Sequence, residues 1–357
     1  MTNTTWIEIN LKKIKENFQA IKKLVNEKTK ILPVIKSNAY GHGLLKTARA
    51  LDECGASYFG IGRLSEAQVL RRAKLAQPLI LLNPVLEKDL DYLVELDITP
   101  MVSSLEEIER INRIGLKHNK KIKIHLKVDT GMGRLGAWPD ELTGLAGQLK
   151  GMEGIELEGL CTHFPSAESD DDFTRGQVKK FNNILKDLAA LDIKPPLQHL
   201  ANSPGIMELK ESHFNMVRPG LALYQDALSL KTRVLFLKKF PIGKTISYGR
   251  TFKTTRDSLI AILPVGYSDG YHRALSNKAS VLINGERFPI VGTISMNHVI
   301  VDITDARKKI ALGDCCTLLG ADNGNIITAN ELAELSNTIP YEILTSLNKE
   351  IPRIYKS

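Results

Sequence analysis

The chain of 357 residues is poor in cysteine, with only four, and poor in aromatics, at 6%. Cys54, Cys161, Cys315 and Cys316 form no CxxC pair, and two adjacent thiols cannot easily both reach one tetrahedral metal. A disulfide scaffold and a structural zinc site are therefore excluded, and reduced thiols are expected. No stretch of 18 apolar residues occurs, so no membrane-spanning helix is expected. The N-terminus has neither a basic nor an apolar leader segment, which points to a cytoplasmic protein. No run of five or six like charges occurs either. The formal net charge of +8 is spread as single or paired lysines (Lys12-Lys13, Lys22-Lys23, Lys120-Lys121, Lys179-Lys180) between apolar residues, as on solvated faces. Neither nucleic acid nor membrane is expected as a partner, whereas small anions stay compatible.

What is present is a soluble composition, 43% hydrophobic and 25% charged, enough to bury a large core. From residue 31 to about 220, short apolar runs alternate with segments of helical period. Eight runs can be counted: Ile31 to Ile35, Tyr58 to Gly62, Leu79 to Leu82, Ile98 to Val102, Ile122 to Val128, Ile155 to Cys161, Leu197 to Leu200 and Asn215 to Val217. Helical stretches such as Ser65 to Lys74, Ser104 to His118, Glu141 to Leu149 and Phe173 to Leu191 lie between them, several opened by Ser or Asp. Eight βα units predict a closed α/β TIM-like (β/α)8 barrel over residues 1–230. After Leu230 the texture changes. Val234 to Phe236, Leu259 to Val265, Ser280 to Ile283, Pro289 to Ile294, Val299 to Ile303 and Thr317 to Leu319 read as strands of a mostly-β domain over 231–357, with helical character returning at Thr328 to Leu347.

In such a barrel the chemistry sits at the carboxyl ends of the strands. The first run, Lys30-Ile-Leu-Pro-Val-Ile-Lys36, ends in a lysine where its apolar character stops. Desolvation there would lower the amine pKa and favour Schiff-base chemistry, although a lysine at a strand end is also at home in solvent. The fifth run continues Lys127-Val-Asp-Thr-Gly-Met-Gly-Arg134, the sixth gives His163, the seventh His199 to Ser203, and the eighth Arg218-Pro-Gly-Leu221. Ser203 with the backbone N–H groups of Gly220 and Leu221 could cradle a phosphate, while the plainer reading of Gly220 is a turn after Pro219. In the second domain Ile246-Ser-Tyr-Gly249, Val265-Gly-Tyr-Ser-Asp-Gly-Tyr271 and Gly292-Thr-Ile-Ser-Met-Asn297 stand out, their tyrosines beside glycine being either turn fillers or accessible phenols.

Val34-Ile-Lys-Ser-Asn-Ala-Tyr-Gly-His-Gly43, Asp129-Thr-Gly-Met-Gly-Arg-Leu-Gly136, Val217-Arg-Pro-Gly220, Ser247-Tyr-Gly249 and Gly266-Tyr-Ser-Asp-Gly270 occur in the order and spacing of one family. The chain resembles the bacterial alanine racemases, fold-type III enzymes dependent on pyridoxal 5′-phosphate (PLP), over nearly its whole length. The resemblance implies interconversion of L-alanine and D-alanine by two bases, supplying D-alanine for peptidoglycan. It implies that Lys36 holds PLP and moves the α-proton on one face, and that Tyr248 does so on the other, supplied across a homodimer with shared active sites. Cofactor contacts implied are Tyr40, Ser203, Gly220, Leu221 and Tyr341 at the phosphate, His163 near the ring and Arg218 at the pyridine nitrogen. Arg134 is implied at the phenolic oxygen, Met296 at the substrate carboxylate and Tyr267 as the partner's gate. Lys127 matches a lysine that the family often carries as a carbamate. Two residues depart from the family pattern: Asn297 replaces an aspartate and Glu350 an arginine, which bears on tolerance of substrates such as serine. The same barrel class also holds decarboxylases and non-catalytic PLP carriers, which product analysis distinguishes from racemases.

Overall fold

A computed structural model describes residues 4–356. Residues 1–3, part of the N-terminal stretch inspected for a leader, and residue 357 lie outside the described residues. The chain forms two compact units, one of residues 15–39 and 44–223, the other of residues 4–14, 40–43 and 224–356.

In chain order the first nine strands are β1 (Thr5–Asn10), β2 (Lys30–Ile31), β3 (Phe59–Ile61), β4 (Leu79–Leu81), β5 (Ile98–Val102), β6 (Ile122–Lys127), β7 (Ile155–Cys161), β8 (Leu197–His199) and β9 (Met216–Val217). Strands β3 to β8 make a six-stranded parallel sheet in sequence order, and β2 pairs in parallel with β9. A parallel bridge joins Val34 to Gly60 beyond the end of β2, and the Arg218 N–H donates to the Ala201 carbonyl at 2.9 Å beyond β8 and β9. The first unit thus has a curled, barrel-like parallel sheet. Every residue of β3, β4 and β5 is buried, as expected when both faces of a parallel sheet are covered, and this is why the runs read as continuous rather than alternating. The run Ile31 to Ile35 is strand only at its start, because Pro33 has no N–H to give to a ladder.

The helices begin where local chemistry satisfies their first N–H groups. Ser104 Oγ accepts from the Glu107 N–H ahead of Leu105–Lys117, and the Asp170 carboxylate accepts from the Phe173 N–H at 3.0 Å ahead of Asp171–Ala190. Each such cap contributes about 1 kcal/mol. Leu105–Lys117 turns Ile108, Ile111 and Gly115 inward.

In the second unit β1 lies between Leu228–Arg233, with which it is antiparallel, and Arg353–Lys356, with which it is parallel. Ile7 and Ile9 are wholly buried there, about 1.5–3 kcal/mol each. The same sheet continues through Cys315–Asp322, Ser280–Ile283 and Glu286–Pro289. A second sheet orders Phe236–Phe240, Ser258–Leu263 and Val299–Asp302, and packs Ile246, Ile260 and Val291 with Phe240, Phe252 and Ile300. Two expected strands are corrected. Of Val234 to Phe236, Val234 and Leu235 cross between sheets, the Val234 N–H donating to the Asp314 carbonyl and the Leu235 N–H to the Ile262 carbonyl, and only Phe236 is strand, opening Phe236–Phe240. Pro289 to Ile294 is strand only up to Pro289, after which Gly292 takes a positive φ of 80° and gives its N–H to Asn277 Oδ1.

Candidate active site

In the first unit Lys36 follows Ile35, whose N–H donates to the Gly60 carbonyl at 2.9 Å. The chain then enters the left-handed region for four consecutive residues, Ser37, Asn38, Ala39 and Tyr40, with φ of 55°, 57°, 53° and 52°. Left-handed turns of L-residues cost roughly 1–2 kcal/mol per residue, so this one must be held from outside. Glu66 does so. One oxygen of its buried carboxylate accepts from the Ser37 N–H at 2.7 Å, and the other accepts from Gly62 at 2.8 Å and Arg63 at 3.2 Å. Asn38 Oδ1 accepts from the Leu44 N–H at 2.9 Å. Gly62 also leaves room for the lysine, since a Cβ there would stand 3.2 Å from Lys36 Cβ. Burial pushes the Lys36 ammonium below the usual lysine range, the Arg134 cation adds to this, and Glu66 opposes it.

Arg134 rides on the turn after β6. Asp129 accepts there from the N–H groups of Gly131 (2.8 Å), Met132 (2.7 Å) and Arg134 (3.0 Å). Gly136, at a positive φ of 127°, closes the turn so tightly that a Cβ would lie 2.6 Å from the Asp129 nitrogen. Lys127, at the end of β6, is buried and has no ion-pair partner among the described residues. Burial depresses its pKa, Arg218 and Arg134 lower it further, and Cys161 and Asp129 act the other way.

Arg218 is 6% exposed and almost saturated. Its Nη1 donates to the His199 carbonyl at 2.7 Å and to His199 Nδ1 at 2.6 Å. Its Nη2 donates to the carbonyls of Thr162 (2.6 Å) and Leu200 (3.0 Å) and approaches His163 Nδ1 at 3.3 Å. A guanidinium has five N–H groups, so the one left over is on Nε. His163 is held neutral, first by burial and then by Arg218, Lys127, Arg134 and Lys36. Ser203 Oγ accepts from the N–H groups of Gly220 (3.0 Å) and Ala222 (3.1 Å), which leaves its own proton to give; the Gly220 N–H is thus already engaged, and Leu221 begins the short helix Leu221–Tyr224.

The second unit holds the remaining residues in three places. Tyr40 stacks on Tyr224 with ring centroids 4.8 Å apart and lies 5.9 Å from Tyr341. Burial pushes the Tyr40 phenol above its usual range. Arg353 Nε donates to the Gly41 carbonyl at 2.8 Å in the same cluster. Tyr248 is 74% exposed on a pinned turn: Thr293 Oγ1 donates to its carbonyl at 2.9 Å, and Ser247 Oγ donates to the Thr293 carbonyl. Tyr267 and Met296 are exposed on two segments tied together, the Tyr267 N–H donating to Ser295 at 3.2 Å and the Ser268 N–H to Met296 at 3.1 Å. Asn297 Nδ2 donates to Ser268 Oγ at 3.0 Å, while Ser268 Oγ donates to the Met296 carbonyl at 2.8 Å. An aspartate, which only accepts when ionised, could take this place only if the Ser268 hydroxyl turned away from Met296. Glu350 is exposed and has no ion-pair partner among the described residues.

The sequence reading did not single out Glu66 or Tyr224. Glu66 stands alone 29 residues beyond Ser37, and Tyr224 has no motif around it; an acidic residue after the Gly60-Ile-Gly62 strand end was the one available signal. Among the described residues no group of three or more His, Cys, Asp or Glu could hold a metal ion, and no helix is long and apolar enough to cross a membrane.

Residues 9–227 match the model of the alanine racemase N-terminal domain and residues 227–355 that of the alanine racemase C-terminal domain. An alanine racemase of Carboxydothermus hydrogenoformans is 40% identical, covering 98% of this chain and 99% of that protein. One from Halothermothrix orenii is 38% identical over 100% and 98%. Among solved structures, alanine racemase from Bartonella henselae with covalently bound pyridoxal phosphate superposes with a TM-score of 0.91 at 32% identity, covering 99% of this chain and 100% of that one. These likenesses make the protein an enzyme of the isomerase class. It belongs to the alanine racemase family.

Proposed function

We propose that this protein interconverts L-alanine and D-alanine with PLP as cofactor, in a homodimer whose subunits complete each other's sites, and that it works in the cytoplasm to supply D-alanine for peptidoglycan. The single observation that carries the cofactor assignment is Arg218, buried, with four N–H groups spent and one left over. A ring nitrogen would satisfy that remaining donor, and a phosphate would satisfy the Ser203 hydroxyl. Closure of the first domain as a (β/α)8 barrel, with a boundary near residue 230, is part of the same reading; the Val34–Gly60 bridge and the Arg218–Ala201 bond support it.

Lys36 would hold the cofactor, with Tyr40, Ser203, Leu221 and Tyr341 at its phosphate, Gly220 acting there through the N–H it gives to Ser203 Oγ, and His163 beside its ring. When bound, PLP supplies a conjugated sink for the electron pair left behind as a Cα proton departs. Everything else is done by the chain. The depressed pKa of Lys36 makes its neutral amine available to take a proton at Nζ, and Arg134 beside it discourages permanent protonation. The Tyr248 hydroxyl of the other subunit handles the proton on the opposite face, with Tyr267 and Met296 around the substrate. Arg218 donates but does not surrender its proton, so a ring nitrogen held by its Nε–H would stay unprotonated and electron withdrawal would be restrained. Restraint favours return of a proton over loss of carboxylate. Lys127, buried with no ion-pair partner among the described residues, is assigned a carbamate: its neutral amine would add CO2 and release one proton, giving an anion to pair with Arg134. A peptide spanning Lys127 that lacks the CO2 mass in the native protein would remove that assignment.

In D2O with PLP, L-alanine is expected to lose optical rotation at a rate matched by deuterium entry at Cα, with no CO2 released. Release of CO2 or aldehyde would replace this reading with another PLP chemistry.

A further inference from the structure

Arg218 is the inner end of a buried polar chain crossing three neighbouring strands. His199 on β8 accepts from Arg218 at Nδ1, and its Nε2 lies 2.7 Å from His125 Nδ1 on β6. His125 Nε2 lies 3.1 Å from Glu158 Oε2 on β7. The other Glu158 oxygen accepts from Lys123 Nζ at 2.9 Å and from the Tyr58 hydroxyl at 3.3 Å. Both imidazoles are 0% exposed. Space for this chain is built into the sheet: Gly159 stands opposite His125 in the register, and a Cβ there would lie 2.6 Å from His125 Nδ1.

The proton positions follow by elimination. A guanidinium only donates, so His199 Nδ1 must carry a lone pair and His199 Nε2 the proton. That proton can be received only by a bare His125 Nδ1, which puts the His125 proton on Nε2, facing the carboxylate. Every N–H in the chain therefore points from Arg218 towards Glu158. A second proton on either ring would set N–H against N–H, and burial together with the Arg218 charge acts in the same direction.

We propose that His199, His125 and Glu158 are positioning residues for Arg218: the chain locks the guanidinium with Nε–H as its one unspent donor and gives its charge a distant carboxylate counterpart. The proposal deepens the PLP reading, because the group that Nε–H would meet is the cofactor's ring nitrogen.

The test is ¹⁵N NMR of histidine-labelled protein, with PLP bound, alongside a Glu158→Gln variant. The two buried histidines are expected as neutral Nε2–H tautomers that do not titrate between about pH 5 and 8, the range in which an ordinary histidine changes charge. In Glu158→Gln the amide oxygen still accepts from His125, so fold and tautomers persist. The lost charge should shift the visible absorption band of the bound cofactor and lower kcat about three- to tenfold with little change in KM, as expected when charge-assisted bonds become neutral ones. Nδ1–H or imidazolium signals in the unsubstituted protein would overturn the chain's direction. An unshifted band with kcat within about twofold in Glu158→Gln would overturn its role towards Arg218. Should that variant not fold, the tautomer signals decide alone. They do not depend on activity, so a protein that fails to racemise alanine yet shows the tautomers refutes the function and not the chain.

Discussion

Tyr248→Phe is expected to keep its fold and its cofactor while racemisation falls about 10²- to 10⁴-fold, the usual contribution of one positioned acid–base group. The side chain is 74% exposed, and its turn is held by Thr293 and Ser247 through backbone atoms, so loss of one hydroxyl removes no hydrogen bond formed among the described residues. The effect should be lopsided. The enantiomer whose α-hydrogen faces Lys36 can still give it up, and deuterium from solvent should still enter that enantiomer. The other enantiomer has lost its base and should exchange far more slowly. At equilibrium the two hands must remain near equal whatever the substitution, because catalysis cannot move that ratio. Equal loss of exchange from both enantiomers would contradict the division of labour.

Lys36→Ala is expected to be the more damaging change. On the proposed mechanism it removes a cofactor anchor and a proton handler together, so the visible band of bound cofactor should disappear and racemisation should fall by at least about 10⁴-fold, the upper range of a single acid–base contribution with anchoring lost as well. Stability should hardly change, since the residue is only partly buried, makes no ion pair among the described residues, and carries a charge that burial disfavours and the Arg134 cation repels. Retention of the band would mean that another amine holds the cofactor. Lys127 is the first candidate, because burial depresses its pKa too.

The parallel-sheet half of this protein was legible because strands buried on both faces must be apolar at every position, as in Leu79–Leu81, and because Ser104 and Asp170 announce their helices. The pairing of β1 with Leu228–Arg233 was not, since nothing local in Thr5–Asn10 names a partner more than 200 residues away. The switch of sheets at Val234 and Leu235 was missed for a related reason: two β-prone residues look alike whether they continue a ladder or cross between two. At the site, Lys36, Arg134, Ser203 and Arg218 could be found as strand-end residues. Glu66 and the His125–Glu158 chain could not, because each of them acts across strands or on a backbone that only the fold brings near. The left-handed turn from Ser37 to Tyr40 is likewise invisible in a stretch whose glycines come only afterwards. Its strain is sustained by Glu66, a dependence that propensity cannot express.

The proposal that the two opposed proton handlers come from different subunits is tested most directly by mixing inactive parents. Lys36→Ala and Tyr248→Phe chains, unfolded or dissociated together and reassembled, should form about half hybrid dimers, each with one intact site, and so recover about a quarter of the unsubstituted activity, as a symmetric interface requires. Mixtures no more active than either parent alone, with hybrid dimers shown to be present, would mean that the amine and the phenol do not meet across subunits.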